Sequence, residues 1–121
     1  MSSKKTVVFV ASTNPGRYSN MAVKKLVNYG HEVVPIGFRD GTIKGLSIQT
    51  DFPNVDAVDT VTLYINPFRQ REHYDYILGL EPKRIIFNPG TENDDLVQQA
   101  QAKGIETLEA CTLVLLSIGR Y

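Results

Sequence analysis

The stretch TVVFVASTNPGRYSN, residues 6–20, contains the pattern that decides the fold. It begins with a nearly continuous apolar run, Thr6 to Ala11, which is typical of a central parallel strand covered on both faces. A loop of small and polar residues follows, and apolar residues then recur at helical spacing from Ala22 to Val27. Strand, loop and amphipathic helix in this order predict the first half of a βαβ unit.

The same alternation continues along the chain. Further strand-like runs lie at Glu32 to Gly37, Thr60 to Ile65, Arg84 to Asn88 and Ile105 to Glu109, with a weaker one at Leu46 to Gln49. Helical patterns separate most of these runs, and Ala110 to Gly119 favours a last helix. We therefore predict an α/β, Rossmann-like, doubly wound parallel sheet of about six strands in the order 3-2-1-4-5-6, with helices on both faces. We expect residues 1–121 to form a single domain.

Length and composition exclude several classes of protein. A chain of 121 residues is too short for separate cofactor and substrate domains. Its 13 Lys and Arg balance 13 Asp and Glu, so we expect no nucleic-acid partner. The lone Cys111 excludes an intramolecular disulfide, and no Cys and His spacing suits a metal. The apolar run Val7 to Ala11 is too short for the hydrophobic region of a signal peptide. No stretch of the sequence has the roughly 18 apolar residues that a membrane span requires. We therefore predict a cytoplasmic protein without a membrane partner.

The loop after the first strand is a candidate anion site, because ligands of open parallel sheets bind at the carboxyl ends of the strands. It reads Ser12-Thr13-Asn14-Pro15-Gly16-Arg17-Tyr18-Ser19. Small residues, hydroxyls, backbone N–H groups and one cation before a helix predict a site for a diphosphate. The Gly-x-Gly-x-x-Gly dinucleotide fingerprint is absent, since Gly16 is the only glycine here. An ordinary strand-to-helix turn is the alternative.

The second strand ends with Ile36-Gly37-Phe38-Arg39. Sites for NAD usually have an acidic residue at this position, which accepts hydrogen bonds from the ribose hydroxyls. Arg39 instead fits a phosphorylated ribose, either the 2′-phosphate of NADP or the 3′-phosphate of coenzyme A (CoA). Phe38 or Ile36 would then flank the adenine. A solvated turn charge is the alternative for Arg39.

Five motifs together resemble one family. They are ASTNPGRYSN at 11–20, GHEVVPI at 30–36, KGLSI at 44–48, FNPGTEN at 87–93 and EACTLV at 109–114. The chain resembles the small CoA-binding proteins whose fold is similar to the N-terminal domain of the succinyl-CoA synthetase α subunit. This resemblance implies that the diphosphate of CoA lies near Ser12 to Ser19 and the nucleotide near Ile36 to Arg39. It also implies that the loops Asn66-Pro67 and Asn88-Pro89-Gly90 border the pantetheine arm.

These placements predict a common cleft. We expect Ser12, Arg39 and Asn88 to line it together, at the crevice between the loops after the first and fourth strands. The helical segment after Asn66-Pro67 carries Arg69 and Arg71 near two acidic residues, and we interpret these arginines as part of a solvated helix face.

Cys111 is the one candidate nucleophile, because it follows the last strand on the ligand side near a helix N-terminus. Neither His31 nor His73 is placed to activate it, so we expect Cys111 to line or neighbour the site without an essential catalytic role. We predict a CoA- or acyl-CoA-binding protein without catalysis of its own. One alternative is a small enzyme that uses Cys111 for acyl transfer or uses NADP. The other is a CoA-sensing subunit that presents Leu113 to Ile118 to a protein partner or a second copy of itself.

Overall fold

The computed structural model describes residues 3–121. Its strands are β1 (Thr6–Phe9), β2 (Val33–Ile36), β3 (Thr42–Ile43), β4 (Leu46–Ser47), β5 (Thr60–Leu63), β6 (Arg84–Phe87) and β7 (Glu106–Glu109). Its helices are α1 (Tyr18–Asn28), α2 (Pro67–Gln70), α3 (Tyr74–Gly79), α4 (Asp94–Ala102) and α5 (Thr112–Ser117), with a 3₁₀ turn at Arg71–His73 between α2 and α3.

Five of the strands form one parallel sheet in the order β2-β1-β5-β6-β7. β1 is an interior strand, so that Phe9 pairs with Ile36 of β2 on one side and with Leu63 of β5 on the other. Every residue of β1, β5 and β6 is buried, as is typical of interior parallel strands that are covered on both faces. The predicted α/β, Rossmann-like fold class is confirmed.

Each face of the sheet carries its own hydrophobic core. Successive side chains of a strand point to opposite faces, so Val7 of β1 packs in one core and Val8 in the other. The first core includes Leu96 of α4 together with residues of α3, and the second includes Leu26 of α1 and Leu116 of α5. The helices therefore cover both faces, as the sequence pattern predicts.

The predicted strand at Leu46 to Gln49 is not a regular member of the sheet, which has five strands instead of about six. β3 and β4 form a separate antiparallel hairpin around Lys44 and Gly45, both of which have positive φ values. Gln49 alone reaches the sheet, through a single parallel bridge to Ile36 of β2. The predicted order holds for the other strands, and the third strand is reduced to this bridge because Leu46 and Ser47 pair with β3 instead.

A polar cluster closes the amino ends of the strands. Arg84 donates from Nε to Oγ1 of Thr60 at 2.8 Å, and its guanidinium lies 4.5 Å from the ring centroid of Tyr121. The backbone N–H of Lys4 donates to Nδ1 of His31 at 2.9 Å, and Nζ of Lys4 donates to the carbonyl oxygen of Tyr121 at 2.7 Å. Burial, with the charges of Lys4 and Arg84, lowers the pKa of His31. Residues 4 and 121 therefore lie side by side, and His31 is far from the carboxyl ends.

Candidate functional site

A cleft of about 730 Å³ lies at the carboxyl ends of β1, β2, β5 and β6. Its walls are the loops that follow these strands and the first turns of α1 and α2. This is where the open parallel sheets of α/β proteins bind ligands.

The cleft brings together most of the predicted site residues. The predicted residues that line it are Ser12, Thr13, Asn14, Arg17, Tyr18, Ser19, Phe38, Arg39, Asn66, Pro89 and Gly90. The predicted residues outside its lining are Pro15, Gly16, Gly37, Pro67, Asn88 and Cys111. Its lining also includes residues that were not predicted, namely Val10, Ala11, Tyr64, Ile65, Arg69 and Thr91.

The loop after β1 is folded by its own polar side chains. Oγ of Ser12 accepts a hydrogen bond from the N–H of Asn14 at 3.1 Å, and Oδ1 of Asn14 accepts one from the N–H of Gly16 at 2.9 Å. Asn20, buried in the first turn of α1, donates from Nδ2 to the carbonyl oxygen of Ser12 at 2.9 Å. Pro15 and Gly16 thus form the outer turn of the loop, and residues on either side of them face the cleft.

The start of α1 has no side-chain cap. Arg17 is the N-cap residue, with φ −87° and ψ 142°, and its side chain accepts no hydrogen bond from the helix. The first turn also contains no acidic residue. The N–H groups of Tyr18, Ser19 and Asn20 have no intrahelical acceptor, and the positive end of the helix dipole lies at the same place. Both features favour an anion beside this turn.

All the charged side chains that line the cleft are cations. They are Arg17, Arg39 and Arg69, and no Asp or Glu is among the lining residues. Across residues 3–121 the single ion pair joins Lys5 to Glu32, so none of the three guanidinium groups is paired with a carboxylate. Because the chain as a whole has zero formal net charge, the cleft is a local concentration of positive charge. It suits a ligand with several negative charges.

Arg69 reaches the cleft from α2. Its Cζ lies 4.9 Å from the ring centroid of Phe38, and its backbone N–H donates to the capping Oδ1 of Asn66 at 2.9 Å. The side chain is exposed, as expected of a solvated helix face, but it also forms part of the cleft wall, which the sequence interpretation missed. Nothing in the local sequence relates position 69 to position 38, since the two meet only through the arrangement of β2, β1 and β5.

Gly37 shapes the cleft wall without lining it. A Cβ at this position would lie 2.6 Å from the carbonyl oxygen of Ala11, so only glycine fits there. The N–H of Ala11 donates to the carbonyl oxygen of Ile36, and the N–H of Gly37 donates to that of Gln49. This loop is therefore held on both sides. Ile36 is fully buried in the core, which leaves Phe38, 40% exposed, as the apolar side chain on this wall.

Asn88 lies beneath the cleft and is 3% exposed. Its Nδ2 donates to Oγ1 of Thr62 at 2.6 Å and to the last carbonyl oxygen of β5 at 2.9 Å. Its Oδ1 accepts from the N–H of Thr112 at 2.9 Å, at the start of α5. Of the three residues expected to line one cleft together, the structure places Ser12 and Arg39 in its lining, whereas the amide of Asn88 is used inside the protein.

Gln70 connects two of the cleft loops. It is fully buried and donates from Nε2 to the carbonyl oxygens of Ile65 at 2.9 Å and Thr91 at 2.7 Å. Its Oε1 accepts from Nδ2 of Asn93 at 2.9 Å. Because Ile65 and Thr91 both line the cleft, this side chain sets the spacing of the loops after β5 and β6.

Cys111 is a neighbour of the cleft and not part of its lining. It is half-buried at the N-cap of α5, near Tyr64, which does line the cleft. Burial raises the pKa of Tyr64 to about 12, with a smaller contribution from Cys111, so the phenol is protonated at neutral pH. Burial lowers the pKa of His73, whose ring packs against Phe9 and Phe38. Neither His73 nor His31 lines the cleft.

No group of three or more His, Cys, Asp or Glu side chains in the part of the chain that the structure describes is placed to hold a metal ion. None of the helices in residues 3–121 is long and apolar enough to cross a membrane.

One sequence family accounts for almost the whole chain. Residues 4–117 match the profile of the family described as the CoA binding domain. The chain belongs to the CoA binding domain family. The resemblance recognised from the five sequence motifs is thereby confirmed. A search of curated proteins found no match.

Solved structures confirm the fold of this CoA binding domain protein. The crystal structure of an uncharacterized protein has 45% sequence identity and a TM-score of 0.97, with 100% of both chains covered. A conserved hypothetical protein from Pyrococcus furiosus is 25% identical with a TM-score of 0.78, over 93% of this chain and 98% of that one. The dinucleotide-forming acetyl-coenzyme A synthetase 1 from Ca. Korarchaeum cryptofilum is 19% identical with a TM-score of 0.71, over 87% of this chain and 25% of that one.

Proposed function

We propose that this protein binds CoA or acyl-CoA in the cleft and catalyses no reaction of its own. The observation that carries the proposal is a cleft with three unpaired arginines and no carboxylate, in a chain of the CoA binding domain family. CoA is negatively charged at two separate places, its diphosphate and its 3′-phosphate. Guanidinium groups bind phosphates through charge-assisted, often bidentate, hydrogen bonds.

The diphosphate would lie at the start of α1. The uncapped N–H groups of Tyr18 and Ser19 offer donors there, and Arg17 offers a cation. From this position the pantetheine arm would extend between the loops after β5 and β6, where Asn66 and Pro89 line the cleft.

The 3′-phosphate would be bound by Arg39. This residue lines the cleft beyond the end of β2, where a carboxylate would instead favour a plain ribose. A charge-assisted hydrogen bond contributes about 1.5–3 kcal/mol. Loss of the contact should therefore weaken binding by roughly ten- to a hundredfold.

The absence of catalysis is supported by the residues around the one thiol. Cys111 does not line the cleft, neither histidine lines it, and burial raises the pKa of the Tyr64 phenol to about 12, which disfavours its phenolate further. Cys111 lies at the N-cap of α5, where a helix N-terminus favours a thiolate, but no histidine lines the cleft to act as its base. A small acyltransferase or an NADP-dependent enzyme would need a general base or a nicotinamide site, which these residues do not supply.

Calorimetric titration of the wild type and of Arg39→Ala with CoA, dephospho-CoA and NADP tests the proposal. The wild type should prefer CoA to dephospho-CoA by about ten- to a hundredfold, and Arg39→Ala should lose most of that preference. NADP should bind poorly. Arg120→Ala, which removes an exposed arginine outside the cleft, is the matched control and should bind as the wild type does.

Three results would contradict the proposal. Equal affinity of the wild type for CoA and dephospho-CoA would remove Arg39 from the site. Tight binding of NADP with no binding of CoA would favour the redox alternative. Turnover of an acyl-CoA thioester by the purified protein would show that it is an enzyme.

A further inference from the structure

Phe38 is held in a fixed position at the wall of the cleft. Its ring centroid lies 5.5 Å from that of His73 and 6.1 Å from that of Phe52, and these two rings are themselves 5.4 Å apart. The backbone beside it is fixed by the close contact of Gly37 with Ala11. Phe38 is nevertheless 40% exposed. A large aromatic ring is thus kept partly open to the cleft by a rigid surround.

The guanidinium of Arg69 lies on this ring, with its Cζ 4.9 Å from the ring centroid. The Asn66 cap fixes the backbone from which the side chain extends. No carboxylate in residues 3–121 pairs with Arg69. The guanidinium is therefore oriented by an aromatic ring and not by an ion pair, which leaves its plane and its N–H groups available to a ligand.

We propose that the adenine of CoA stacks on the guanidinium of Arg69, and that Phe38 is a positioning residue that holds this guanidinium in place. A guanidinium is planar, stacks on aromatic rings and also stacks on nucleic-acid bases, so it can lie between Phe38 and a purine. The inference rests on the proposed function, since it assumes that the cleft takes CoA. It adds a residue of α2, the helix that follows β5, to a nucleotide site otherwise built at the end of β2.

This role differs from that of Arg39 in a measurable way. A stacking contact reads the flat face of the base, which CoA and dephospho-CoA share, whereas a phosphate contact distinguishes the two ligands. Loss of the Arg69 stack should therefore weaken both ligands by the same factor. Base stacking on a protein side chain contributes enough for a loss of about tenfold.

The test is titration of Arg69→Gln and Arg69→Lys with CoA, dephospho-CoA and 4′-phosphopantetheine, which has no base. Both variants should bind CoA and dephospho-CoA about tenfold more weakly with the ratio unchanged, and 4′-phosphopantetheine as the wild type does. Arg69→Lys separates the effect of the planar guanidinium from the effect of its charge, because lysine keeps the charge but has no planar group. Arg71→Gln is the matched control, since Arg71 is exposed beside Phe68 and outside the cleft lining.

The role of Phe38 is tested by the same titrations with CoA and dephospho-CoA. Phe38→Leu should repeat the loss seen for Arg69→Lys, and Phe38→Tyr, which keeps the ring, should retain wild-type affinity. If Phe38→Leu does not fold, as judged by circular dichroism, the exposed Arg69 variants decide the question alone.

The possible failures are distinguishable. A wild type that does not bind CoA overturns the proposed function and this inference with it. A wild type that binds CoA, with Arg69→Gln binding equally well, overturns only the stacking role. Wild-type affinity in Arg69→Lys would mean that charge alone acts, and a changed ratio of CoA to dephospho-CoA would mean that Arg69 reads the phosphate. Either result overturns the inference.

Discussion

Replacing Asn88 with alanine should destabilise the fold strongly. The amide makes three buried hydrogen bonds, to Oγ1 of Thr62, to the last carbonyl of β5 and from the N–H of Thr112. Thr62 retains a partner in the variant, because its hydroxyl also hydrogen-bonds that of Thr112. The carbonyl and the N–H are left unpaired, and each orphaned buried group costs about 1–3 kcal/mol. The expected loss is thus about 2–6 kcal/mol from a total that is commonly about 5–15 kcal/mol.

Urea unfolding followed by circular dichroism measures this loss. Asn28→Ala is the matched control, since Asn28 is exposed at the end of α1 and its replacement should change the free energy of unfolding by less than about 0.5 kcal/mol. Asn88→Asp keeps an acceptor for Thr112 but offers no donor to the β5 carbonyl, so it should also be less stable than the wild type. A loss below about 1 kcal/mol in Asn88→Ala would refute the reasoning, because neither backbone group would then be left unpaired.

Three other measurements address the rest of the site and the core. Gly37→Ala places a Cβ 2.6 Å from the Ala11 carbonyl oxygen and should cost about 1–3 kcal/mol in urea unfolding; an unchanged midpoint would contradict this contact. Burial lowers the pKa of His31 and His73 in the folded chain below the ordinary histidine value of 6.5. As the pH falls below 6.5, the unfolded chain therefore binds more protons than the folded chain, and stability decreases. The melting temperature should fall as the pH is lowered from about 7 to about 5. The fall should be smaller in His31→Asn, in which Oδ1 of the asparagine replaces Nδ1 of His31 as the acceptor for the N–H of Lys4. A melting temperature that does not change with pH would contradict this prediction. Cys111→Ser should leave CoA affinity unchanged, and a large loss would place the thiol in the site.

The strands of the sheet were predictable because a strand that is buried on both faces has few polar residues in its sequence. β1, β5 and β6 are buried at every position, and they consist almost entirely of β-branched and apolar residues. Leu46 to Gln49 has the composition of a strand as well. The turn at Lys44 and Gly45 pairs this segment with β3 instead of with the sheet. The local sequence pattern does not show which of these two pairings forms.

The site was predictable as far as it follows from a position after a strand. Ser12 and Arg39 line the cleft because each comes just beyond the carboxyl end of its strand. Asn88 occupies an equivalent position, but its amide bonds to Thr112, and a sequence does not show which of two directions a side chain takes. Arg69 lies in the cleft wall because it contacts Phe38, and the strands that precede these two residues, β5 and β2, are separated by β1. The sequence alone does not show this contact.

Because Lys4 contacts Tyr121, the segment of residues 4–121 is suitable for circular permutation. A short flexible linker would join these neighbouring residues at the amino ends of the strands, away from the cleft. New termini could then be opened between Lys44 and Gly45, which are exposed at the tip of the small hairpin. Such a rearranged chain would keep every loop of the cleft intact, so its ligand affinity would report on the site independently of the order in which the elements are connected.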